Sequence, residues 1–414
     1  MEAAIDATRH PNAGRGVLLT GATGFLGGEI LARLLQRGDC QVYALVRARD
    51  QGQAEARLRE TIISLLGTID PWSRRAVAIP ADLRAAGLGL SESHREWLAE
   101  RTTEIIHCAA SVSFELGLEE SRRINLDGTI RMLQLAEFAS ICGGLDCFTH
   151  VSTAYVAGTY PGSFGEGDPR LGQGFRNGYE RSKFEAEVMV RSRSDSLPIQ
   201  VLRPSIVVGD SRSGWTSTFN VLYWPLRAFA RGSYSVLPAR RSAPVDVVPV
   251  DYVADSVIAL AGRPGTTYNL AAGERASTMG EVAELAGSYF KAPPPRLISP
   301  RLYRRAVHPL LLRTGDQRRR TTLRRSEQFF PYFEVGARYD AAGAGEALAP
   351  AGLEPPPLSS YFERLMDFAV AADWGRKPVP RHRAVCNLGE WPTAPTLTRS
   401  PSRSRRNSRA ARTV

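Results

Sequence analysis

The sequence predicts an α/β protein built on a doubly wound parallel sheet, followed by a smaller C-terminal lid. Three observations predict it. Short β-branched runs recur through the first 210 residues with helical patterns between them, and strands regularly separated by helices pair in parallel through right-handed crossovers. The first of these runs leads straight into a glycine-rich turn and a helix. After about residue 210 the alternation loosens into an aromatic stretch, GWTSTFNVLYWPLRAFARG (214–232).

Taken in order, GVLLT (16–20), QVYALVR (41–47), AVAIPADL (76–83), EIIHCAA (104–110), CFTHVSTAYV (147–156) and IQVLRPSIVVG (199–209) read as strands. Amphipathic stretches such as GEILARLLQRG and SRRINLDGTIRMLQLAEFA lie between them. Ligands of such a sheet are expected at the carboxyl ends of its strands. Beyond the aromatic stretch come VDVVPV, the helix DYVADSVIALA, TYNLAAG and the helix TMGEVAELAGSYF, with some strands returning to the sheet. The expected division is a flexible N-terminus at 1–15, a dinucleotide-binding domain at 16–213 and a substrate-binding lid at 214–375. A disordered basic tail follows at 376–414, because its Ser/Arg-rich composition buries too little apolar surface to fold.

In GVLLTGATGFLGGEI, Gly21, Gly24 and Gly27 stand between the first strand and its helix. Glycines there let the backbone approach a pyrophosphate, whose charge meets free N–H groups and the positive helix end. The second strand ends in VRARD. An acid at that point takes a ribose 2′-hydroxyl, whereas Arg47, with Arg49 nearby, suits a 2′-phosphate, so NADPH is favoured over NADH. Asp50 lies too far along to be the ribose acid. Ordinary solvated arginine is the competing reading.

Tyr179 and Lys183 stand four apart in NGYERSKFEAE, one of only three lysines among 53 basic residues. That spacing stacks them on one helix face. On spacing alone the pair reads as structural. An adjacent ammonium, however, is expected to lower the pKa of a phenol, and a compact lysine charge can reach a cofactor ribose where an arginine fork would sit differently. VSTAYVAG, closing the fifth strand, places Ser152 and Thr153 at the same sheet edge. A hydroxyl, a phenol and an ammonium converging there form an arrangement for polarising a carbonyl while hydride arrives.

With TGATGFLG, LVRA, ADL, HCAASVSF, INLDGT, HVSTAYV, YERSKFEAE, LRPSIVVGDSRSGW and VPVDYVAD in order over roughly residues 16 to 290, the chain resembles the extended short-chain dehydrogenase/reductases. More narrowly it is similar to their male sterility-type branch, which holds fatty acyl-CoA reductases and the thioester reductase domains of carboxylic acid reductases and peptide synthetases. The resemblance implies a Rossmann domain and a catalytic trio on Thr153, Tyr179 and Lys183. It also implies NADPH contacts from Thr23, Gly24, Phe25, Leu26, Arg47, Arg57, Asp82, Leu83, Ala109, Ala110, Ser111, Lys183, Pro204, Ser205, Ile206 and Val207. Cys108 stands where the family usually has an asparagine, so one cofactor-side hydrogen bond lacks its usual source. The implied substrate is an acyl thioester, presented by coenzyme A or an acyl carrier protein, reduced to aldehyde and, with a second hydride, to alcohol.

Charge and cysteine usage exclude other classes. The net charge of +11 sits in two late segments: the tail 399–414 with six arginines and no acid, and 301–325 with nine arginines against Asp316. That distribution argues against specific nucleic-acid recognition. Segment 301–325 instead suits an anionic membrane surface, coenzyme A phosphates, an acidic carrier protein or plain solvent. Five cysteines without a CxxC suggest neither a disulfide framework nor a zinc site. No stretch approaches 18 apolar residues and no secretory leader is evident, so the expected location is the cytoplasm, with peripheral membrane contact left to 301–325. No particular oligomeric state is implied.

The aromatics Trp215, Phe219, Tyr223, Trp224 and Phe229 read either as an acyl channel or as lid core. His107 and His150 read as satisfied core residues, Asp246, Asp251 and Asp255 as caps near a helix start, and Asn125 as a support for the active-site backbone. Three functions stay open: a thioester reductase, a related enzyme of nucleotide sugars or hydroxysteroids, and a noncatalytic dinucleotide sensor. The last has no need of Tyr179 and Lys183.

Overall fold

The computed structural model describes residues 15–386, apart from 168, 233–235, 315–316, 318–319, 321–323, 325–329, 331 and 333–334. The expected N-terminal arm and the tail beyond 386 lie outside the described residues.

Seven strands form the predicted sheet: β1 (Arg15–Thr20), β2 (Cys40–Val46), β3 (Ala76–Pro80), β4 (Glu104–His107), β5 (Cys147–Val151), β6 (Ile199–Pro204) and β7 (Thr267–Leu270). All pair in parallel, in the order β7-β6-β5-β4-β1-β2-β3. The chain therefore reverses its direction of travel between β1 and β4, and a crevice opens at the carboxyl ends of those two strands. Strand alternation sends Val17 and Leu19 into one core layer and Leu18 into the other. Helices α1 (Phe25–Arg37), α2 (Gln51–Leu66) and α7 (Val250–Leu260) cover the first layer; α3 (Glu92–Ala99), α4 (Leu118–Cys142) and α5 (Gly178–Arg191) cover the second.

The run expected as one strand over 199–209 breaks at Ser205. Its second part, Ile206–Val208, leaves the main sheet to pair in parallel with Val247–Pro249. This step carries the chain from the sheet into the lid, whose core joins α6 (Tyr223–Ala230), α8 (Met279–Tyr289) and α9 (Phe362–Ala371). TYNLAAG supplies the edge strand β7, paired in parallel with β6.

The ordered chain runs past the expected boundary at 376. Arg381–Cys386 is helical and packs on α2, with His382 Nδ1 3.1 Å from the Ser64 carbonyl. Trp215 donates to the Val379 carbonyl at 2.9 Å. In the basic segment, Pro300–Leu302 and His308–Thr314 are helical, with Leu302 and Leu310 exposed and Tyr303 buried. Among the described residues no helix is long and apolar enough to cross a membrane.

Candidate active site

A cleft of about 900 Å³ occupies the crevice beyond β1 and β4. Its floor is the turn between β1 and α1. Gly21 takes φ +78°, a left-handed conformation, and a Cβ on Gly27 would come within 2.1 Å of the Gly21 carbonyl oxygen. Glycine is required at both positions for the turn to close. α1 then begins at Gly24 with no side-chain cap and no acid in its first turn. An uncapped positive helix end facing a large cleft fits a pyrophosphate.

The other predicted cofactor residues gather on the same walls. Thr23, Phe25, Leu26, Arg47, Arg57, Asp82, Leu83, Ala109, Ala110, Ser111, Pro204, Ser205, Ile206 and Val207 all line the cleft. Arg47 is exposed just past β2, and the half-buried Arg57 donates to the Arg47 carbonyl. Neither nearby acid is open. Asp50 caps α2 through Gln53 N at 2.8 Å, and Arg84, 2.8 Å from Asp82, holds that carboxyl below the usual range. Arg49 does not line the cleft that Arg47 and Arg57 border.

Cys108 lacks the asparagine's amide, and Thr20 organises the backbone there: its Oγ1 accepts from Cys108 N at 3.1 Å and Ala109 N at 3.0 Å. Burial pushes the Cys108 thiol up to about 12, which leaves no thiolate for nucleophilic work. Asn125 does support the site. Its Oδ1 accepts from Ser111 N at 2.8 Å, and its Nδ2 donates to the Ser111 carbonyl and to Ser182 Oγ.

Thr153, Tyr179 and Lys183 line one wall together. Asn177 caps α5 through Glu180 N at 3.0 Å, so the helix starts one residue before Tyr179, and both members of the pair line the cleft. The two candidate hydroxyls separate clearly. Ser152 donates to Glu187 Oε2 at 2.6 Å, within a buried network in which Glu187 also meets Arg203 at 2.5 Å and Arg191 at 2.9 Å. Burial pushes the Glu187 carboxyl up, but the Arg203 guanidinium outweighs it and leaves the group below its ordinary value. Thr153, free of that network, accepts from Tyr155 N at 3.2 Å and lines the cleft with Tyr179.

The expected fall in the Tyr179 pKa does not appear. Burial pushes the phenol up to about 12, with Thr153 pulling the other way. Lys183 directs its Nζ to the Val151 carbonyl at 2.8 Å, so its charge is spent on the end of β5. Burial in turn lowers the ammonium from 10.5 to about 8, opposed by Cys108 and Glu187.

Other expectations divide. His107 is satisfied by Thr20 at 2.8 Å and Thr129 at 3.1 Å, but neither ring nitrogen of buried His150 has a partner among the described residues. Asp246, Asp251 and Asp255 do not cap α7; they accept from Ala272 and Gly273, accept from Ser211, and pair with Arg33. Of the five lid aromatics, Trp215 meets Phe25 and Phe219 stacks on Phe368, as core residues do, while Tyr223 borders the cleft. Sequence reasoning missed Phe114, stacked on Tyr332 at 4.7 Å and 5.7 Å from Tyr179, and it missed the Glu187–Arg203 pair.

A seven-stranded doubly wound sheet, an uncapped glycine turn and a Thr/Tyr/Lys wall define a dinucleotide-binding protein of the extended short-chain dehydrogenase/reductase type. The model of the NAD-binding male sterility protein family matches residues 19–257, and the chain belongs to that family. It is 30% identical over 326 residues to Fatty acyl-CoA reductase 1 of Rattus norvegicus, covering 68% of this chain and 62% of that protein. The chain thus spans under two thirds of that relative's length. Among solved structures it is similar to the terminal R domain of the myxalamid PKS-NRPS pathway, with TM-score 0.75 and 26% identity over 89% of this chain and 94% of that one. The R domain of a nonribosomal peptide synthetase from Mycobacterium tuberculosis shares the fold at TM-score 0.66 and 22% identity, over 87% and 92%.

Proposed function

We propose that the chain is an NADPH-dependent oxidoreductase that reduces acyl thioesters, carried by coenzyme A or a carrier protein, to aldehyde and onward to alcohol. The observation that carries the reading is the shared wall: Thr153, Tyr179 and Lys183 line the same cleft as the uncapped glycine turn. The names of the relatives, a fatty acyl-CoA reductase and a reductase domain of a synthetase pathway, support the thioester as substrate.

When bound, the reduced nicotinamide supplies a hydride. The residues of the chain supply everything else. Gly21 to Gly27 with the start of α1 would hold the pyrophosphate, and Arg47 with Arg57 would meet the 2′-phosphate, since Asp50 and Asp82 are already engaged. With its pKa near 12, the Tyr179 phenol is protonated at neutral pH and donates to the thioester oxygen as charge develops there. Thr153 is the second donor. Lys183, with a pKa of about 8, is mostly charged at neutral pH; it fixes the end of β5 and would offer its ammonium to the cofactor's ribose. A C–H bond forms at the carbonyl carbon, the resulting hemithioacetal loses its C–S bond, and the thiol leaves with a proton as the aldehyde forms. The exposed arginines and leucines of 301–313 offer a face for the phosphates of coenzyme A, an acidic carrier protein or an anionic membrane surface.

The test mixes purified protein with NADPH and acyl-CoA thioesters, following absorbance loss and identifying aldehyde or alcohol. Oxidation coupled to either product supports the reading. Inertness towards every acyl-CoA, with turnover of a UDP-sugar or hydroxysteroid instead, overturns it.

A further inference from the structure

Beneath the lid lies a second cavity, of about 70 Å³, walled by Leu222, Phe229, Leu237, Met279, Val282 and Ala283. It is apolar. The one carboxylate on its rim, Asp246, is already occupied by Ala272 N at 2.8 Å and Gly273 N at 2.9 Å. Tyr332, also on the rim, accepts from Asn177 Nδ2 at 2.6 Å. Asp246 and Tyr332 are therefore engaged, and most of what the cavity presents to a ligand is hydrocarbon.

This cavity meets the cleft at three residues that line both, Tyr155, Ile206 and Val221. Tyr155 lies two residues beyond Thr153, and its ring contacts Tyr332, which stacks on Phe114 beside Tyr179. The partition is thus next to the reacting wall. Val221 stands between Asn220, which lines the cleft, and Leu222, which lines the cavity. Its φ is +34°, a conformation that a β-branched residue adopts only against steric cost. Such strain persists where surrounding structure enforces it, and it concentrates at clamps and switch points.

We propose that the apolar tail of the acyl group crosses the partition at Val221 and lodges in this cavity, so that Val221 and Ala283 set chain length and the enzyme prefers medium-chain to long-chain thioesters. The inference rests on the thioester reading above. Each methylene that fits raises kcat/KM about fourfold, the equivalent of about 0.8 kcal/mol of apolar burial. At under a tenth of the cleft's volume, the cavity fills after a few carbons, and longer tails gain nothing further.

The experiment compares acetyl-, octanoyl- and palmitoyl-CoA in the unaltered chain and in Ala283→Phe, Leu226→Ala and Val221→Gly. Octanoyl-CoA is expected to be the best wild-type substrate. Ala283→Phe, which fills the cavity, lowers the octanoyl-to-acetyl ratio of kcat/KM at least tenfold. Leu226→Ala, which enlarges it, raises the palmitoyl-to-octanoyl ratio, and Val221→Gly, which removes the strain, flattens the profile. Calorimetry without NADPH gives a second readout: wild type binds octanoyl-CoA more tightly than coenzyme A, and the gap closes in Ala283→Phe. Reduction of acyl-CoAs with one chain-length profile in all four proteins overturns this inference and leaves the thioester reading standing. Failure of every protein to reduce any acyl-CoA overturns that reading and this inference with it.

Discussion

The dinucleotide cleft and the lid cavity share three wall residues but are assembled by different means. The cleft takes its floor from the consecutive residues Gly21 to Gly27 and its reacting wall from Tyr179 and Lys183, a single helical turn apart. Its groups are held by directed bonds, such as Asn125 to Ser111 at 2.8 Å and Lys183 to Val151 at 2.8 Å. The lid cavity draws on residues from Tyr155 to Tyr339 and is held by packing. Polar chemistry demands particular atoms at particular points, whereas an apolar cavity demands only volume. The largest test of that contrast is Tyr179→Phe. Losing the donor should lower kcat on the order of 10²- to 10⁴-fold for every chain length, while NADPH titration by fluorescence shows binding within about twofold of wild type. A loss confined to one chain length would place Tyr179 in tail selection and collapse the distinction.

Next in size is the network beneath the cleft. Glu187 and Arg203 are both fully buried and 2.5 Å apart. Glu187→Ala leaves that guanidinium uncompensated, at a cost of about 3–5 kcal/mol in urea unfolding. Glu137→Ala removes the partner of Arg193 on the surface, 2.9 Å away with both side chains well exposed, and should cost no more than about 1 kcal/mol. Equal shifts in the two variants would show that the cleft does not rest on the buried pair. A smaller effect belongs to Arg47. Exchange for Asp should weaken NADPH relative to NADH by roughly ten- to a hundredfold, the worth of a charged hydrogen bond plus repulsion. An unchanged preference would assign the 2′-phosphate elsewhere.

Legibility in the sequence follows the same division. The sheet and the glycine turn could be read because each depends on short spacing within one element or one turn, whereas Thr153, Tyr179 and Lys183 as a trio come from the family resemblance, since spacing alone makes the Tyr/Lys pair structural. Glu187 could not be told from a solvated charge: KFEAE shows a helix face, and only the fold puts Arg203 and Ser152 against it. Segment 376–386 read as tail because composition carries no information about Ser64 or Val379 bonding it to the body's helices and lid. Phe114 and Tyr332 lie far apart in sequence, and their stacking depends on the lid closing over the cleft. The rule that an ammonium lowers a neighbouring phenol's pKa failed for a related reason. It omits burial, which dominates at Tyr179, and it omits the Val151 carbonyl, which takes the Lys183 charge.

That last point yields the smallest effect, and one in which activity and stability move in opposite directions. Burial lowers Lys183 to about 8, below the 10.5 of an unconstrained lysine. A folded-state pKa below the unfolded one means that the unfolded chain holds the proton more tightly between those values. The cost of burying the charge is therefore fully present below about pH 8 and is relieved as pH rises from about 8 towards 10.5. This group adds stability over that window at no more than about 1.4 kcal/mol per pH unit. The same deprotonation removes the ammonium from the reacting wall, so kcat/KM should fall about tenfold per unit above that pKa, as for loss of a single essential proton. Urea midpoints and kcat/KM measured from pH 7 to 10 should diverge in wild type. In Lys183→Met the stability gain over this window should be absent. Parallel decline of both quantities in wild type would mean that the alkaline limb belongs to unfolding and not to Lys183.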